Sequence, residues 1–472
     1  MLFPTATFAI FFMVVLPLSW LLMPRGERWR PFIIASSYVF YSAWDWRFVF
    51  LLAFSTVWNQ VFAVAIHKRT EPRARKALLA AAIAGNLALL GYFKYYGFFV
   101  TSTHNLFSLV DLNVPLEVRS IVLPVGISFF TFMGISYVVD TYRGDFEPVG
   151  FGKFAAYLSF FPHLVAGPIV RPGELLPQFD SPRDPRYVDT SRAFFLIGTG
   201  LFMKVVIANY LAGSIVDQVF GAPNQHSSLE VLVGIYAYAV QIYADFFGYT
   251  NIAIGLALIL GFRFPQNFDS PYAAVSIQDF WRRWHMTLSR WLRDYLYIPL
   301  GGNRGSRLFT YRNLMLTMLI GGLWHGAGWT FVVWGAIHGT ALVAERWWRE
   351  RPGFVERRWT PWRRSWHRFA TFQVVCFAWI FFRADSFADA WDVIVRLFTA
   401  WGEPSPLVTG GVVAAIAVGI GSQYLPSRFP LAIMARFSRL PVPAQAAVLS
   451  LALLVTHAMG PEGVAPFIYF QF

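Results

Sequence analysis

Long apolar runs, separated by short segments rich in arginine and lysine, set the pattern of this chain. A helix needs about 20 apolar residues to cross a hydrocarbon core. Runs near 3–23, 31–43, 46–66, 77–100, 121–140, 193–220, 230–262, 312–345, 366–382, 406–425 and 443–460 approach or exceed that length. The 31–43 run is short and reads as a partial span. The 230–262 and 312–345 runs are long enough for a tilted or kinked helix, or for two shorter ones. A further short run, Phe154–Val170, carries Pro162, His163, Gly167 and Pro168. It predicts a broken or re-entrant segment, which is tolerated at membrane depth only when packed in protein or lining a cavity. The pattern therefore predicts an all-α polytopic membrane protein with about 11 transmembrane helices plus re-entrant and interfacial helices. No internal repeat, coiled coil or low-complexity stretch interrupts it, so 1–472 reads as a single membrane domain. Residues 263–311 form a long Arg/Trp-rich insert within it. The C-terminal spans in 403–472, with the Pro404-Ser-Pro406 break, have no assigned role.

The basic residues orient the chain. Arg25, Arg28 and Arg30 follow the first run, and Lys68, Arg69, Arg73, Arg75 and Lys76 precede the 77–100 run, whereas 101–118 holds no lysine or arginine. Cytoplasmic loops carry the excess of Lys and Arg. The N-terminus is thus expected outside a cell membrane, with 25–30, 67–76, 263–311 and 346–365 on the cytoplasmic side. The first run follows Met1 without a basic n-region or a small-x-small exit, so it reads as a membrane helix rather than a leader.

Composition sharpens this. Of 472 residues, 56% are hydrophobic, 18% aromatic and only 14% charged, against roughly 25% charged in a soluble domain. A soluble Rossmann or barrel enzyme and a disordered chain are excluded. The net charge of +13 belongs with cytoplasmic loops and anionic headgroups of the lipid bilayer, not with nucleic acid. One cysteine, Cys376, excludes a disulfide framework and a cysteine-based zinc site. With no HExxH either, no metal is expected. Walker A, GxGxxG and GxSxG patterns are absent as well, so no bound cofactor and no serine elbow are expected.

Three clusters could carry chemistry. Phe280–Tyr297 places Trp281, Trp284, Leu288, Trp291, Leu292 and Tyr295 on one helical face, with Arg283, Arg290, Arg293 and Asp294 toward the other and His285 beside the stripe. The ordinary reading is an interfacial amphipathic helix. The sharper one is that the arginines attract an anionic donor, such as a CoA phosphate, and that His285 faces a pocket. Gly321-Gly-Leu-Trp-His-Gly-Ala-Gly-Trp329 sets His325, beside Trp324, in the middle of an apolar run. An ionisable side chain at that depth faces a cavity or a partner, and an imidazole suits general-base work. The alternative is a structural histidine bonded to a neighbouring helix. His338 would lie some 20 Å along a continuous helix from His325, too far to share a metal unless the helix breaks. Gln241–Asn251 carries Asp245, an intramembrane carboxylate that either bonds a neighbouring arginine or helix end or orients a histidine. Tyr249 lies in the same seam.

These residues, in order, resemble the membrane-bound O-acyltransferase family, and more closely its bacterial alginate O-acetylation branch. The resemblance rests on Phe280–Arg304 and Leu323-Trp-His-Gly326. It extends to Leu123–Phe132, Val139–Asp145, His163–Pro168, Gln241–Gly255, Gly261–Phe264 and Phe381–Arg383. It implies a helical disc around a central tunnel open to both leaflets. It maps the family's key histidine to His325, as catalytic base or transient acyl carrier, and a second catalytic position to His285. Trp281, Arg282, Arg283, Trp284, Arg290, Trp324, Asp245 and Tyr249 form the implied substrate and donor set. The family's Asp-Phe-Ser-Gly-Tyr-Ser/Thr-Asp reads here Asp245-Phe-Phe-Gly-Tyr-Thr-Asn251, so Phe247 and Asn251 depart from it.

The implied activity is movement of an acetyl group from a cytoplasmic thioester, acetyl-CoA or an acyl carrier, to an extracytoplasmic polysaccharide. A separate extracytoplasmic acetyltransferase subunit would assist. D-alanyl transfer to a cell-wall polymer from a carrier protein is the alternative within the family. A proton-coupled transporter is the alternative outside it. It would leave the Trp/Arg-rich insert without a purpose, and the chain lacks the inverted repeat common in carriers.

Overall fold

The computed structural model describes residues 1–109, 121–355, 358–426 and 428–459. The end of the last predicted run and all of 460–472 lie outside them, as does 110–118 of the segment without basic residues. Among the described residues the regular structure is entirely helical. Two compact units divide the chain: 1–188 with 256–265, and 189–255 with the residues from 266 onward.

In the first unit, α1 (Ala6–Leu22) starts at Thr5, whose hydroxyl accepts the Phe8 N–H at 3.2 Å. It is followed by α2 (Gly26–Ser42), α3 (Phe48–Lys68), α4 (Pro72–Ser108), α5 (Ile127–Arg143) and α6 (Phe151–Ser159). The buried amides of Asn59 on α3 and Asn86 on α4 bond each other in both directions, at 3.2 and 2.8 Å. Interhelical polar contacts in a membrane are worth on average about 0.6 kcal/mol each. Gly134 on α5 makes room for this pair, since a Cβ there would fall 2.4 Å from the Asn59 amide nitrogen. The predicted break after Phe154 is present. The helix ends at Ser159, a single turn spans Phe161–Leu164, and every residue from 154 to 170 is buried. His163 braces this segment, donating from Nε2 to the Tyr157 carbonyl at 3.0 Å and stacking on Phe264.

The second unit opens with α7 (Thr190–Gly221), widened by π turns at Phe202–Ala208 and Ala212–Val216. The 230–262 run forms one helix, α8 (Ser228–Ile259), almost wholly buried over its apolar window. Within this unit α7 and α8 meet at glycines. A Cβ on Gly200 would lie 2.7 Å from the Gly248 carbonyl oxygen, and one on Gly248 would lie 2.7 Å from that of Gly200. Small residues let helix backbones approach this closely in membranes.

The Trp-rich insert does not form the continuous helix that its periodicity suggests. It divides into α9 (Ile277–Arg283) and α10 (Met286–Leu292), with Trp284 extended and His285 left-handed at φ 41°. The 312–345 run is two helices, α11 (Arg307–His325) and α12 (Trp329–Glu350), turning at Gly326–Gly328. They pack backbone to backbone. A Cβ at Gly335 would sit 2.4 Å from the Met318 carbonyl oxygen, and one at Gly322 would sit 2.3 Å from that of Phe331. The remaining helices are α13 (Pro361–Arg383), α14 (Phe387–Thr399), α15 (Gly410–Tyr424), α16 (Arg428–Ser438) and α17 (Val442–Met459). Among the described residues α3, α4, α7 and α8 are long and apolar enough to cross a membrane, and α1, α15 and Val442–Thr456 are shorter apolar helices.

Candidate active site

The site is built from three pieces of the second unit: the α9–α10 break, the α11–α12 turn and α8. His285 occupies the break. The helix is interrupted there, and two N–H groups at the start of α10 find acceptors on Asn267. Met286 N–H donates to the Asn267 carbonyl at 2.9 Å, and Thr287 N–H donates to its side-chain Oδ1 at 3.2 Å. A helix start leaves such groups without intrahelical partners. Capping them from afar offsets the left-handed backbone at a non-glycine residue, which costs about 1–3 kcal/mol.

His325 is the last residue of α11, immediately before the glycine turn. That turn overturns the separation expected from a continuous helix. The Trp334 ring on α12 lies 5.0 Å from the His325 ring and 4.9 Å from the His338 ring, so one indole bridges the two histidines.

The structure brings His285 and His325 together, with ring centroids 6.5 Å apart at an interplanar angle of 61°. Both are buried, at 0% and 2% exposure. Trp324 joins them, 6.0 Å from His285 and 5.0 Å from His325. Phe246 of α8 packs edge-on to His285 at 4.5 Å, and Phe382 of α13 lies 5.3 Å from His325. The pair thus shares an aromatic shell. His285 Nδ1 bonds Asn267 Oδ1 at 3.2 Å, and Nε2 is buried with no hydrogen-bond partner among the described residues.

Other predicted site residues fall in different places. Trp284 packs on Phe268, Phe280 and Trp379 in the aromatic core. Trp281 lies 5.7 Å from Trp334 and 5.2 Å from His338, and it lines a cavity of about 620 Å³. The arginines lining that cavity are Arg293, Arg346 and Arg349. Arg282 is exposed, Arg290 is half-buried, and Arg283 bonds Asp279 at 2.8 Å and the Asp269 carbonyl at 3.3 Å. The cavity's arginines are held by carboxylates: Arg293 by Asp294 at 2.6 Å, Arg346 by Glu350 at 2.7 Å, and Arg349 by Glu345.

Asp245 forms a buried ion pair, and its partner is Lys204 of α7. The Lys204 ammonium also lies 5.6 Å from the centroid of the Tyr249 ring, within cation–π reach. Sequence reasoning missed Lys204, although a lone lysine inside an apolar run is itself a signal. It also missed Asn267, which sits in a segment without periodicity, and the Arg346 and Arg349 contribution from the far end of α12.

Among the described residues no cluster of His, Cys, Asp and Glu could hold a metal ion. The arrangement is two imidazoles in a buried aromatic shell, next to a polar-rimmed cavity, in a helical membrane protein. Such a site fits proton transfer or nucleophilic attack on an acyl group.

That class can be stated more closely. The chain belongs to the membrane-bound O-acyltransferase family, whose profile matches residues 94–384. It is 42% identical over 379 residues to a probable alginate O-acetylase AlgI of Pseudomonas aeruginosa, covering 79% of this chain and 71% of the relative. It is 39% identical over 393 residues to a peptidoglycan O-acetyltransferase of Helicobacter pylori, covering 77% and 72%. A teichoic acid D-alanyltransferase of Bacillus subtilis is 26% identical over 282 residues, covering 56% and 69%.

Proposed function

We propose that this acyltransferase moves an acetyl group from a cytoplasmic thioester, acetyl-CoA or an acyl carrier, toward a hydroxyl of an extracytoplasmic polysaccharide. The observation that carries the reading is the His285–His325 pair, buried together in one aromatic shell. His325 acts as base: it takes the proton from the acceptor hydroxyl, the oxygen bonds to the thioester carbonyl carbon, and the C–S bond breaks. The thiolate leaves and takes up a proton. In the nucleophilic variant, His325 carries the acyl group between the two halves of the reaction. His285 supports either route from 6.5 Å away.

The donor enters by the cavity at Trp281. Its three arginines, each paired with a carboxylate in this structure, exchange those partners for the donor's phosphate groups. A continuous aromatic path runs from Trp281 through Trp334 to His325. Along that path the Trp281 and Trp334 indole nitrogens and both His338 nitrogens are buried without hydrogen-bond partners among the described residues. Buried N–H groups require acceptors, and the amide and thioester carbonyls of a pantetheine arm supply them.

On this reading the chain is one membrane domain of about 11 transmembrane helices around a tunnel. It lies in the cell membrane with its N-terminus outside and 263–311 facing the cytoplasm. A separate extracytoplasmic subunit delivers the acetyl group to the polymer. The two O-acetyl relatives, near 40% identity, favour a glycan hydroxyl as acceptor. D-alanyl transfer is the second reading, favoured by the D-alanyltransferase relative at lower identity.

The test uses protein in liposomes with acetyl-labelled CoA, following CoA release and label transfer to glycans outside. Release that depends on His325 is the expected result. Release unchanged in His325→Ala overturns the assignment.

A further inference from the structure

The Asn267 side chain gathers three donors on one oxygen. Thr287 N–H donates to Oδ1 at 3.2 Å, the Thr287 hydroxyl at 2.9 Å, and His285 Nδ1 at 3.2 Å. The backbone N–H can only donate, which fixes the amide with its oxygen toward His285. An amide oxygen has no proton to give, so Nδ1 carries the hydrogen. The amide nitrogen is turned the other way, toward the Thr250 hydroxyl of α8 at 3.4 Å. The imidazole therefore has its lone pair at Nε2, the nitrogen that is buried without a hydrogen-bond partner among the described residues. The hydrogen bond made by one ring nitrogen sets what the other can do.

We propose that Asn267 is a positioning residue for the transfer reaction. It locks His285 into the Nδ1-protonated form and holds its backbone in the left-handed turn, so that a bare Nε2 is presented in the shell shared with His325. Asn267 acts on substrate only through His285, and this part of the inference rests on His285 belonging to the reacting site. The Asn267 side chain caps α10 by accepting the Thr287 N–H, its backbone carbonyl accepts the Met286 N–H, and the same side-chain oxygen orients the ring just before the helix. One residue thereby couples the α9–α10 break to the chemistry.

The test is the side-chain ¹⁵N spectrum of full-length, histidine-labelled protein in lipid nanodiscs. The His285 resonances are assigned by their loss in His285→Gln. Wild type is expected to show a protonated Nδ1 and a bare Nε2. In Asn267→Leu that preference is expected to vanish, with turnover down about tenfold or more. Asn267→Asp retains an acceptor oxygen and is expected to keep Nδ1 protonated and to recover turnover relative to Asn267→Leu. A purely structural role for Asn267 would not move the nitrogen signature. A protonated Nε2 in wild type, or an unchanged tautomer in Asn267→Leu, overturns the proposal. If Asn267→Leu does not fold, the wild-type and Asn267→Asp spectra still decide it. Normal turnover in His285→Gln, with the tautomer shift present in Asn267→Leu, would instead overturn the reading of His285 as a reacting-site residue while the tautomer assignment stands.

Discussion

Lys204 and Asp245 form an ion pair whose side chains are only 2% and 3% exposed. It sits where α7 and α8 touch through Gly200 and Gly248. Removing one partner of such a pair strands a buried charge, at about 3–5 kcal/mol, whereas replacing both with apolar groups is often neutral. Lys204→Met and Asp245→Leu are each expected to lower the melting temperature sharply in detergent. The double variant is expected to recover most of it. A double variant as unstable as the sum of the singles would show that the two charges do not act as a pair.

His325→Ala is expected to lower turnover by about 10²–10⁴-fold while leaving the gel-filtration profile near wild type. The ring packs against Trp324, Trp334 and Phe382, so a modest stability loss is expected as well. His285→Gln should also cut turnover severely. Near-normal rates in both would remove the catalytic assignment.

The α11–α12 hairpin leaves no space at Gly335. Gly335→Val would drive a Cβ to 2.4 Å from the Met318 carbonyl oxygen, a backbone atom that cannot swing away. Overpacking costs about 1–3 kcal/mol where side chains can yield, and more is expected here. The readout is loss of a monodisperse peak on gel filtration. Gly152, with open space around the position a Cβ would take, is the control: Gly152→Ala is expected to behave as wild type.

Arg346 and Arg349 line the cavity beside Trp281. Replacing both with glutamine is expected to raise the KM for acetyl-CoA several-fold with little change in kcat, and to weaken the salt dependence of donor binding. A fall in kcat alone would place the donor phosphates elsewhere.

Much of this was legible in the chain. The apolar runs marked the helices, and the Pro162 to Pro168 punctuation marked the buried break in the first unit. His285 and His325 stood out as imidazoles among tryptophans and glycines. What the pattern could not reveal was the break at His285. The tryptophan periodicity runs through it without interruption, and no glycine or proline marks it. It exists because Asn267, well outside the repeating stretch, captures the N–H groups of Met286 and Thr287. The length of the 312–345 run left a kinked helix and two shorter helices both open, and the structure has the two helices, turning at Gly326–Gly328. The sequence reading gives Asp245 an arginine, a helix end or a histidine to orient. Its partner is a lysine on another helix, a pairing fixed by the Gly200–Gly248 approach rather than by local sequence.

The Lys204–Asp245 pair also has a consequence for synthesis. The ribosome makes α7 before α8, so Lys204 enters the bilayer before its carboxylate exists. A lysine at the centre of an inserting helix costs about 2.5–3.5 kcal/mol on insertion scales. Until α8 follows, nothing at position 245 can offset that cost. The two helices are therefore expected to be partners in biogenesis as well as in the finished protein, with α7 inserting less well when α8 does not follow it.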